Sequence, residues 1–237
     1  MIVNPYVFGG SATSTLLNGL YALWKLEINA NDSLGNYNGT LIGTQSYGSG
    51  INGNCVVPSG SNYVDLPDNT FNSLGTTFTI AVWVYPDLST SGNRTIVSTY
   101  NSTYGATAGF ELDTTIDGTG MMFNLFGSSS VSIGANSGSL ISFQWNLIII
   151  ERTASTSTKV YINNVFKTQN SSTMDILYAP QLYASIGAYK YSSSGIAQYM
   201  APNHKYDELA FWNRALTTQE KTDLWNSGTG KFYPTFL

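Results

Sequence analysis

Short runs of alternating or β-branched apolar residues recur from Gly19 onwards, separated by clusters of Gly, Ser and Asn. This spacing is typical of a β-sandwich or barrel. The clearest run is Thr77–Tyr85, which ends at Pro86 because proline cannot donate a hydrogen bond to a strand ladder. The other strong runs are Tyr21–Leu26, Arg94–Tyr100, Gly109–Leu112, Met121–Phe126, Trp145–Arg152, Lys159–Phe166, Leu182–Gly187 and Tyr206–Trp212. No helical periodicity separates them, so the sequence predicts an all-β fold and excludes a parallel βαβ architecture.

One short helix is predicted near the C-terminus. Thr217 and Glu220 have the spacing of a capping box, in which each side chain accepts a hydrogen bond from the other residue's backbone N–H. Leu224 and Trp225 supply an apolar side that can dock on the sheets, and Gly228 is the predicted stop.

The first eighteen residues differ from the rest of the chain. Met1–Phe8 is apolar and Gly9–Thr15 is rich in small residues, so we predict an N-terminal arm and linker over residues 1–18 and one domain over 19–237. The arm lacks the basic start and cleavage site of a signal peptide, which implies synthesis in the cytoplasm. No run approaches the roughly 20 apolar residues of a membrane span, so we expect no membrane partner.

Charged residues make up only 10% of the chain, and the net charge is −4. A surface of Asn, Ser, Thr and Tyr suits neutral partners such as sugars, or a close-packed assembly. The ten Lys and Arg residues form no basic run, which excludes a nucleic-acid partner. The single cysteine, Cys55, lies in an apolar run and is predicted to be a buried small hydrophobe.

Four segments, in order, resemble the laminin-G/pentraxin-like branch of the concanavalin-A-like lectin and glucanase superfamily. They are Gly19–Glu27 with the loop Asn31–Leu41, Phe78–Pro86, Trp145 with Lys159–Val165, and Tyr206–Thr217. The resemblance spans residues 19–230 and implies a two-sheet antiparallel jelly-roll sandwich with one short C-terminal α-helix. Asn164 replaces the usual Gly of a hairpin turn, although Asn also tolerates the left-handed conformation. His204 and Lys205 stand where relatives often carry a Gly.

The resemblance also implies a calcium site. Relatives can share a metal between an acid like Asp32 and an acid on the last strand, here Asp207 or Glu208. The candidate ligands are Asp32, Asn36, Asn38 and Asp207, because Ca²⁺ prefers carboxylate and amide oxygens. The alternative is an Asx turn, in which Asp32 binds its own backbone.

Sugar binding needs an aromatic face together with planar polar groups on a rigid scaffold. Two loop-like segments have this character, and their candidate ligand-binding residues are Tyr100, Asn101, Tyr104, Tyr189 and Tyr191. Trp24, Trp83, Trp145 and Trp212 lie within strand patterns and are predicted to be core residues instead.

The candidate for catalysis is the pair Glu111 and Asp113. Laminarinase-like relatives carry three carboxylates at alternate positions of one strand, where two can flank a glycosidic bond. Here the third position is Thr115, and a solvated strand edge is the alternative interpretation of the pair. With His204 as the single histidine, the sequence offers no Ser–His–Asp triad. We therefore assign no catalytic residue and expect a protein that is not an enzyme.

A laminin-G-like domain behind a short apolar arm resembles surface or decoration components of bacteriophage virions. The resulting hypothesis is a non-catalytic, homo-oligomeric virion surface protein whose lectin-type domain binds host or mucosal glycans. The arm would then contact other virion subunits. The alternatives are a free-standing carbohydrate-binding adhesion module and, as a third, a laminarinase-like glycoside hydrolase.

Overall fold

The computed structural model describes residues 15–58, 60–87, 94–101, 108–115, 118–127, 129–136, 138–179, 181–200 and 202–236. Its strands, numbered in chain order, are β1 (Leu20–Trp24), β2 (Thr40–Ile42), β3 (Ser46–Ser49), β4 (Asn54–Val57), β5 (Tyr63–Asp65), β6 (Phe78–Tyr85), β7 (Arg94–Tyr100), β8 (Gly109–Thr114), β9 (Met121–Phe126), β10 (Ser130–Ala135), β11 (Asn146–Thr153), β12 (Ser157–Ile162), β13 (Val165–Asn170), β14 (Tyr183–Ile186), β15 (Ala188–Lys190), β16 (Ile196–Tyr199) and β17 (Lys205–Trp212). One helix, α1 (Thr218–Trp225), follows the last strand.

The strands form two antiparallel sheets and a separate hairpin. The eight-stranded sheet has the order β13-β12-β11-β6-β17-β4-β3, with β1 also paired to β17. The seven-stranded sheet has the order β10-β9-β8-β7-β14-β5-β2, and β15 pairs only with β16. Half of the strand pairings join strands that are not consecutive in the chain, such as β6 with β17 and β7 with β14, as in a jelly roll. The predicted all-β, two-sheet sandwich with one C-terminal helix is confirmed.

The main core lies between the two sheets. Phe78, Ile80 and Val82 of β6 pack there with Phe110 and Phe123 of the seven-stranded sheet. Each of these five side chains is fully buried. Because side chains of a strand point alternately to its two faces, the residues between them, such as Ala81 and Trp83, face the other way.

A second core covers the outward face of the eight-stranded sheet. Trp83, Leu147, Ile149 and Trp212 are buried there under residues from α1 and the C-terminal segment. Trp225 of α1, for example, stacks on Trp83 with ring centroids 5.5 Å apart. The central strands are therefore buried on both faces, which explains their nearly continuous apolar sequences.

The helix begins as the sequence predicts. Thr217 is the N-cap, and its hydroxyl accepts from the Glu220 N–H at 3.2 Å while the Glu220 carboxylate accepts from the Thr217 N–H at 2.8 Å. The predicted stop at Gly228 is wrong by two residues. The helix ends at Trp225, and its C-cap is Asn226, whose φ of 42° lies in the left-handed region.

Several other local predictions are confirmed. Asn163 and Asn164 both have positive φ in the β12–β13 hairpin turn, Cys55 is buried, and Trp24, Trp83 and Trp212 are buried in the two cores. Trp145 differs, since it is half-buried and lies just before β11.

The last residues of the predicted arm contact the domain. A 3-10 helix covers Thr15–Leu17, Leu16 is 1% exposed, and its carbonyl accepts from the Trp212 indole N–H at 2.7 Å. Residues 1–14 of the arm lie outside the described residues. In the described part of the chain, no helix has the length and apolar character that crossing a membrane requires.

Candidate functional site

The β15–β16 hairpin lies over the outward face of the seven-stranded sheet. The chain leaves that sheet at Gly187, whose φ is +81° and where a Cβ would meet the Tyr206 hydroxyl at 2.3 Å, so a side chain would not fit. Two serines of the sheet are hydrogen-bonded to the hairpin. The hydroxyls of Ser98 in β7 and Ser185 in β14 both donate to the Ala188 carbonyl, at 2.9 and 2.8 Å.

A pair of carboxylates lies beside the hairpin on the same outward face. Glu111 and Asp113 alternate along β8 with Phe110 and Leu112, which point into the core. The interpretation of the pair as a solvated strand edge is wrong, because β8 is hydrogen-bonded to β7 on one side and β9 on the other. Glu111 is only 7% exposed.

Neighbouring polar side chains bind Glu111. Its Oε1 accepts from the Thr95 hydroxyl and its Oε2 from the Asn124 side-chain amide, both at 3.4 Å. The side-chain carbonyl of Asn124 in turn accepts a hydrogen bond from the Ser132 hydroxyl at 2.7 Å. The network therefore fixes the orientation of the Asn124 amide and links four adjacent strands, β7 to β10.

Both acids have raised pKa values. Burial raises the pKa of Glu111, and burial together with the charge of Glu111 raises the pKa of Asp113 well above its usual range. The Oδ1 atom of Asp113 is buried and has no hydrogen-bond partner. Burial therefore disfavours the charged form of both acids.

Two of the predicted sugar-binding tyrosines meet at this site. The rings of Tyr100 and Tyr189 have centroids 5.0 Å apart, and Tyr100 also contacts Phe126 edge-on at 5.3 Å. Burial and the adjacent Tyr100 hydroxyl raise the pKa of Tyr189, which keeps its phenol neutral. Tyr100 is the last residue of β7 and is 7% exposed, whereas Tyr189 on β15 is half-buried.

The other predicted sugar-binding residues that the structure describes are Asn101 and Tyr191. Asn101 is 2% exposed and its side chain donates to the Gln181 carbonyl. Tyr191, just after β15, is 38% exposed, and Tyr104 lies outside the described residues. The expected loop placement thus applies to Tyr191, while Tyr100 and Tyr189 belong to strands.

Asp32 forms the Asx turn of the alternative interpretation. Its Oδ1 accepts from the Leu23 and Leu34 N–H groups and its Oδ2 from those of Asn36 and Tyr37, at 2.9 to 3.1 Å. The Asn38 side chain accepts from the Asp32 N–H at 3.0 Å. Four N–H donors already surround the carboxylate, which fits a structural turn better than a cation ligand.

The remaining candidate ligand, Asp207, is fully buried on β17. Its Oδ2 accepts from the backbone of Ile51 and Asn52, and its Oδ1 has no partner. Among the residues that the structure describes, no three His, Cys, Asp or Glu side chains converge as a metal would require. Calcium binding by Asp32, Asn36, Asn38 and Asp207 stays a prediction.

Sequence reasoning missed Thr95, Asn124 and Ser132. Their one signal is alternation, since Asn124 in β9 and Ser132 in β10 lie between apolar residues that face the core. Alternation marks an outward face but does not show which outward residues adjoin Glu111.

Known structures share this architecture. Domain 4 of AbnA, a GH43 extracellular arabinanase from Geobacillus stearothermophilus solved with arabinotriose, matches with a TM-score of 0.63 and 22% identity, over 86% of this chain and 97% of that one. The binding domain of botulinum neurotoxin serotype D matches with a TM-score of 0.63 and 15% identity, over 88% of this chain and 51% of that one. The chain therefore spans about half the length of the neurotoxin domain.

A botulinum neurotoxin DC binding domain in complex with rat synaptotagmin II also matches, with a TM-score of 0.60 and 14% identity over 87% of this chain and 50% of that one. At such identities the likeness shows the fold alone. No curated protein sequence matches the chain. Residues 58–220 match the laminin-G family model (Laminin_G_3) described as concanavalin A-like lectin/glucanases superfamily, and because this segment is more than half of the chain, the protein belongs to that family.

Proposed function

We propose that this protein is a non-catalytic carbohydrate-binding protein, and that a neutral glycan binds on the outward face of the seven-stranded sheet beside the β15–β16 hairpin. The observation that carries the proposal is the buried network around Glu111, with Tyr189 at its edge. The similarity to an arabinanase domain solved with arabinotriose supports a saccharide as the ligand.

The chemistry of this face favours sugar hydroxyls. Hydrogen bonds from Thr95 and Asn124 fix the Glu111 carboxylate, and the Asn124 amide is oriented by its bonds to Ser132 and Glu111. Tyr189 adds an apolar ring surface to the polar groups, the combination that orients ligands in small-molecule sites. Two acids with no basic group in this network disfavour an anionic glycan.

The test is glycan binding by the full chain, first on an array and then by calorimetry with the best ligand. We expect Asn124→Ala and Tyr189→Ala each to weaken binding at least about tenfold, which corresponds to about 1.4 kcal/mol. Met122→Ala is the matched control, because Met122 lies on the outward face of β9 but is 41% exposed and outside the network. Unchanged affinity in both test variants would contradict this site.

The absence of catalysis is part of the proposal. The third position of the β8 pattern holds Thr115, whose hydroxyl accepts from the Gly120 N–H at 2.9 Å and so belongs to the β8–β9 turn. We expect no release of reducing sugar from any bound glycan. Release that Glu111→Gln abolishes would instead assign the protein to the glycoside hydrolases.

We place the module on a virion surface, with a free-standing adhesion module as the alternative. The arm over residues 1–18 motivates this placement, together with the resemblance to virion decoration proteins. Because Leu16 is buried, the informative truncation removes residues 1–14. We expect light scattering to show an oligomer that this truncation disrupts, and antibodies to the chain to label purified virions. A monomer in both forms, without labelling, would favour the free-standing module.

A further inference from the structure

A polar cavity lies on the side of the β15–β16 hairpin away from the Glu111 network. Its volume is about 370 Å³, and its polar lining comprises Asn38, Thr40, Asp65, Asp68, Lys190 and Ser193. In the order of the seven-stranded sheet, the Glu111 network lies over β7 to β10, whereas this cavity lies beside β5 and β2. The two places share no residue.

Lys190 is the unusual feature of this cavity. Its side chain is 5% exposed, and its ammonium group forms an ion pair with Asp65 and lies 5.7 Å from the centroid of the Tyr183 ring. Removing an ammonium group from water is costly, so buried lysines are rare and are paired. The pairing of Asp65 with Ser185 across β5 and β14 places the carboxylate on the same outward face as the hairpin.

Two further side chains of the cavity keep hydrogen-bonding capacity. Asp68 is exposed, and its Oδ2 accepts one bond, from the Gln181 side chain at 3.1 Å. The side-chain carbonyl of Asn38 accepts a hydrogen bond from the Asp32 N–H. This bond fixes the orientation of the side-chain amide and leaves its NH₂ group as the donor. Thr40 and Ser193 add exposed hydroxyls.

This lining selects the class of ligand. Lys190 neutralises Asp65, and Asp68 leaves the lining with a net charge of −1, so an anion is disfavoured. Donors and acceptors of both kinds match a molecule rich in neutral hydroxyls. A volume near the lower end of the usual 300–1,000 Å³ for ligand pockets suits one or two sugar rings.

We infer that the Asp65–Lys190 cavity is a second saccharide site that takes a neutral sugar unit independently of the site at Glu111. Two sites on one face would let the protein hold a polysaccharide at two points, and the second contact would raise the overall affinity without a new kind of interaction.

The experiment is an NMR titration of the full ¹⁵N-labelled chain with neutral monosaccharides, namely arabinose, galactose, glucose and mannose, at up to tens of millimolar. We expect at least one sugar to shift the backbone amides of Asp68, Lys190 and Ser193 in a saturable way. Asp68→Ala should reduce the affinity at these amides at least about tenfold. Asp223→Ala is the matched control, since it removes a partly exposed acid on α1.

The outcomes separate this inference from the proposed function. If Asp68→Ala changes nothing while Tyr189→Ala abolishes glycan binding, the second site is wrong and the first stands. Shifts confined to the cavity and lost in Asp68→Ala would support the second site even if the Glu111 site failed. Absence of saturable shifts for all four sugars, or saturation of the same amides by calcium chloride alone, would overturn the inference.

Discussion

The two outward faces of the sandwich differ in what covers them. On the eight-stranded sheet the central outward positions around Trp83 and Trp212 are apolar, and helix α1 and the C-terminal segment seal them into a second core. On the seven-stranded sheet the outward positions include Thr95, Glu111 and Asn124, and a two-stranded hairpin covers only part of them. One face is therefore covered by the chain itself, while the other keeps polar side chains that are only partly covered.

The two faces should therefore differ in how much their side chains contribute to the stability of the fold. A side chain sealed under the helix contributes to folding through apolar burial, since each buried large side chain is worth about 1.5–3 kcal/mol. An exposed side chain on the other face contributes little to folding, because water already surrounds most of it. Substitutions on the two faces should therefore differ in their effect on stability, and four experiments examine that contrast.

The largest effect is expected for Trp212→Ala. The side chain is fully buried in the second core and donates to the Leu16 carbonyl, so its removal should lower the free energy of unfolding by about 3–5 kcal/mol. Met122→Ala on the opposite face should change it by no more than about 0.5 kcal/mol. Urea denaturation followed by far-UV circular dichroism measures both free energies, because this signal reports the backbone and does not depend on Trp212. Equal losses of stability in the two variants would contradict the proposed difference between the faces.

Two lysine variants come next. Lys221 of α1 and Glu151 of β11 form an ion pair in which both side chains are 6% exposed. We expect Lys221→Met to cost about 2–3 kcal/mol, because buried Glu151 then keeps only its contact with the partly exposed Lys159 at 3.3 Å, and Glu151→Leu in the same chain to recover part of it.

On the other face, Lys190→Met leaves Asp65 one-third exposed, where water can solvate it. The expected loss is about 1 kcal/mol or less. The same denaturation experiment measures both lysine variants, and a larger loss for Lys190→Met than for Lys221→Met would reverse our assignment of the sealed face.

The third experiment concerns the dependence of stability on pH. Burial, and then the charge of Glu208, raises the pKa of Asp207 to about 8, and burial raises the pKa of Glu208 to about 7. Both acids titrate near pH 4 when unfolded. Between about pH 4 and pH 8 the folded protein therefore binds more protons than the unfolded chain, and the free energy of unfolding falls as the pH rises.

We expect Asp207→Asn to flatten this fall, measured as urea midpoints from about pH 5 to about pH 8. Glu220 is the internal reference, because hydrogen bonds from Arg214 lower its pKa to about 2 and its contribution is lost only as the pH falls below about 4. Millimolar calcium chloride should also reduce the fall if calcium binds at Asp207. An unchanged profile in the variant would contradict the raised pKa.

The smallest effect is expected at the start of the helix that seals the eight-stranded sheet. Thr217→Ala removes the N-cap hydroxyl that accepts from the Glu220 N–H, and should cost about 1 kcal/mol. Thr218→Ala, one position later and exposed, is the matched control and should be nearly neutral. Thermal unfolding measures both variants. Equal melting temperatures of the two variants would show that the capping hydroxyl does not stabilise helix α1.

Much of the fold could be predicted because its signals are local. Leu147–Ile150 is apolar at every position, as expected for a strand buried on both faces, and the structure places it between the two cores. The helix start follows from four consecutive residues, and the hairpin at Asn163 and Asn164 from a two-residue turn.

The candidate site was only partly predictable. Tyr100 and Tyr189 were named from composition, but their contact depends on the turn at Gly187, which folds β15 back over β7. Asn124 and Lys190 were missed, because nothing within a few residues of either distinguishes it from other polar residues of a strand.

By itself the sequence determined the longer strands, the start of the helix, the sandwich class and the family, because alternation, capping and turn chemistry act between residues close along the chain. Only the tertiary structure decided which outward face was sealed and which polar groups met. Lys190 and Asp65 are 125 residues apart in the chain, and Glu111 and Asn124 meet only because β8 pairs with β9 in one register. Strand order and register depend on the packing of the whole core, and for that reason local patterns could not specify the site.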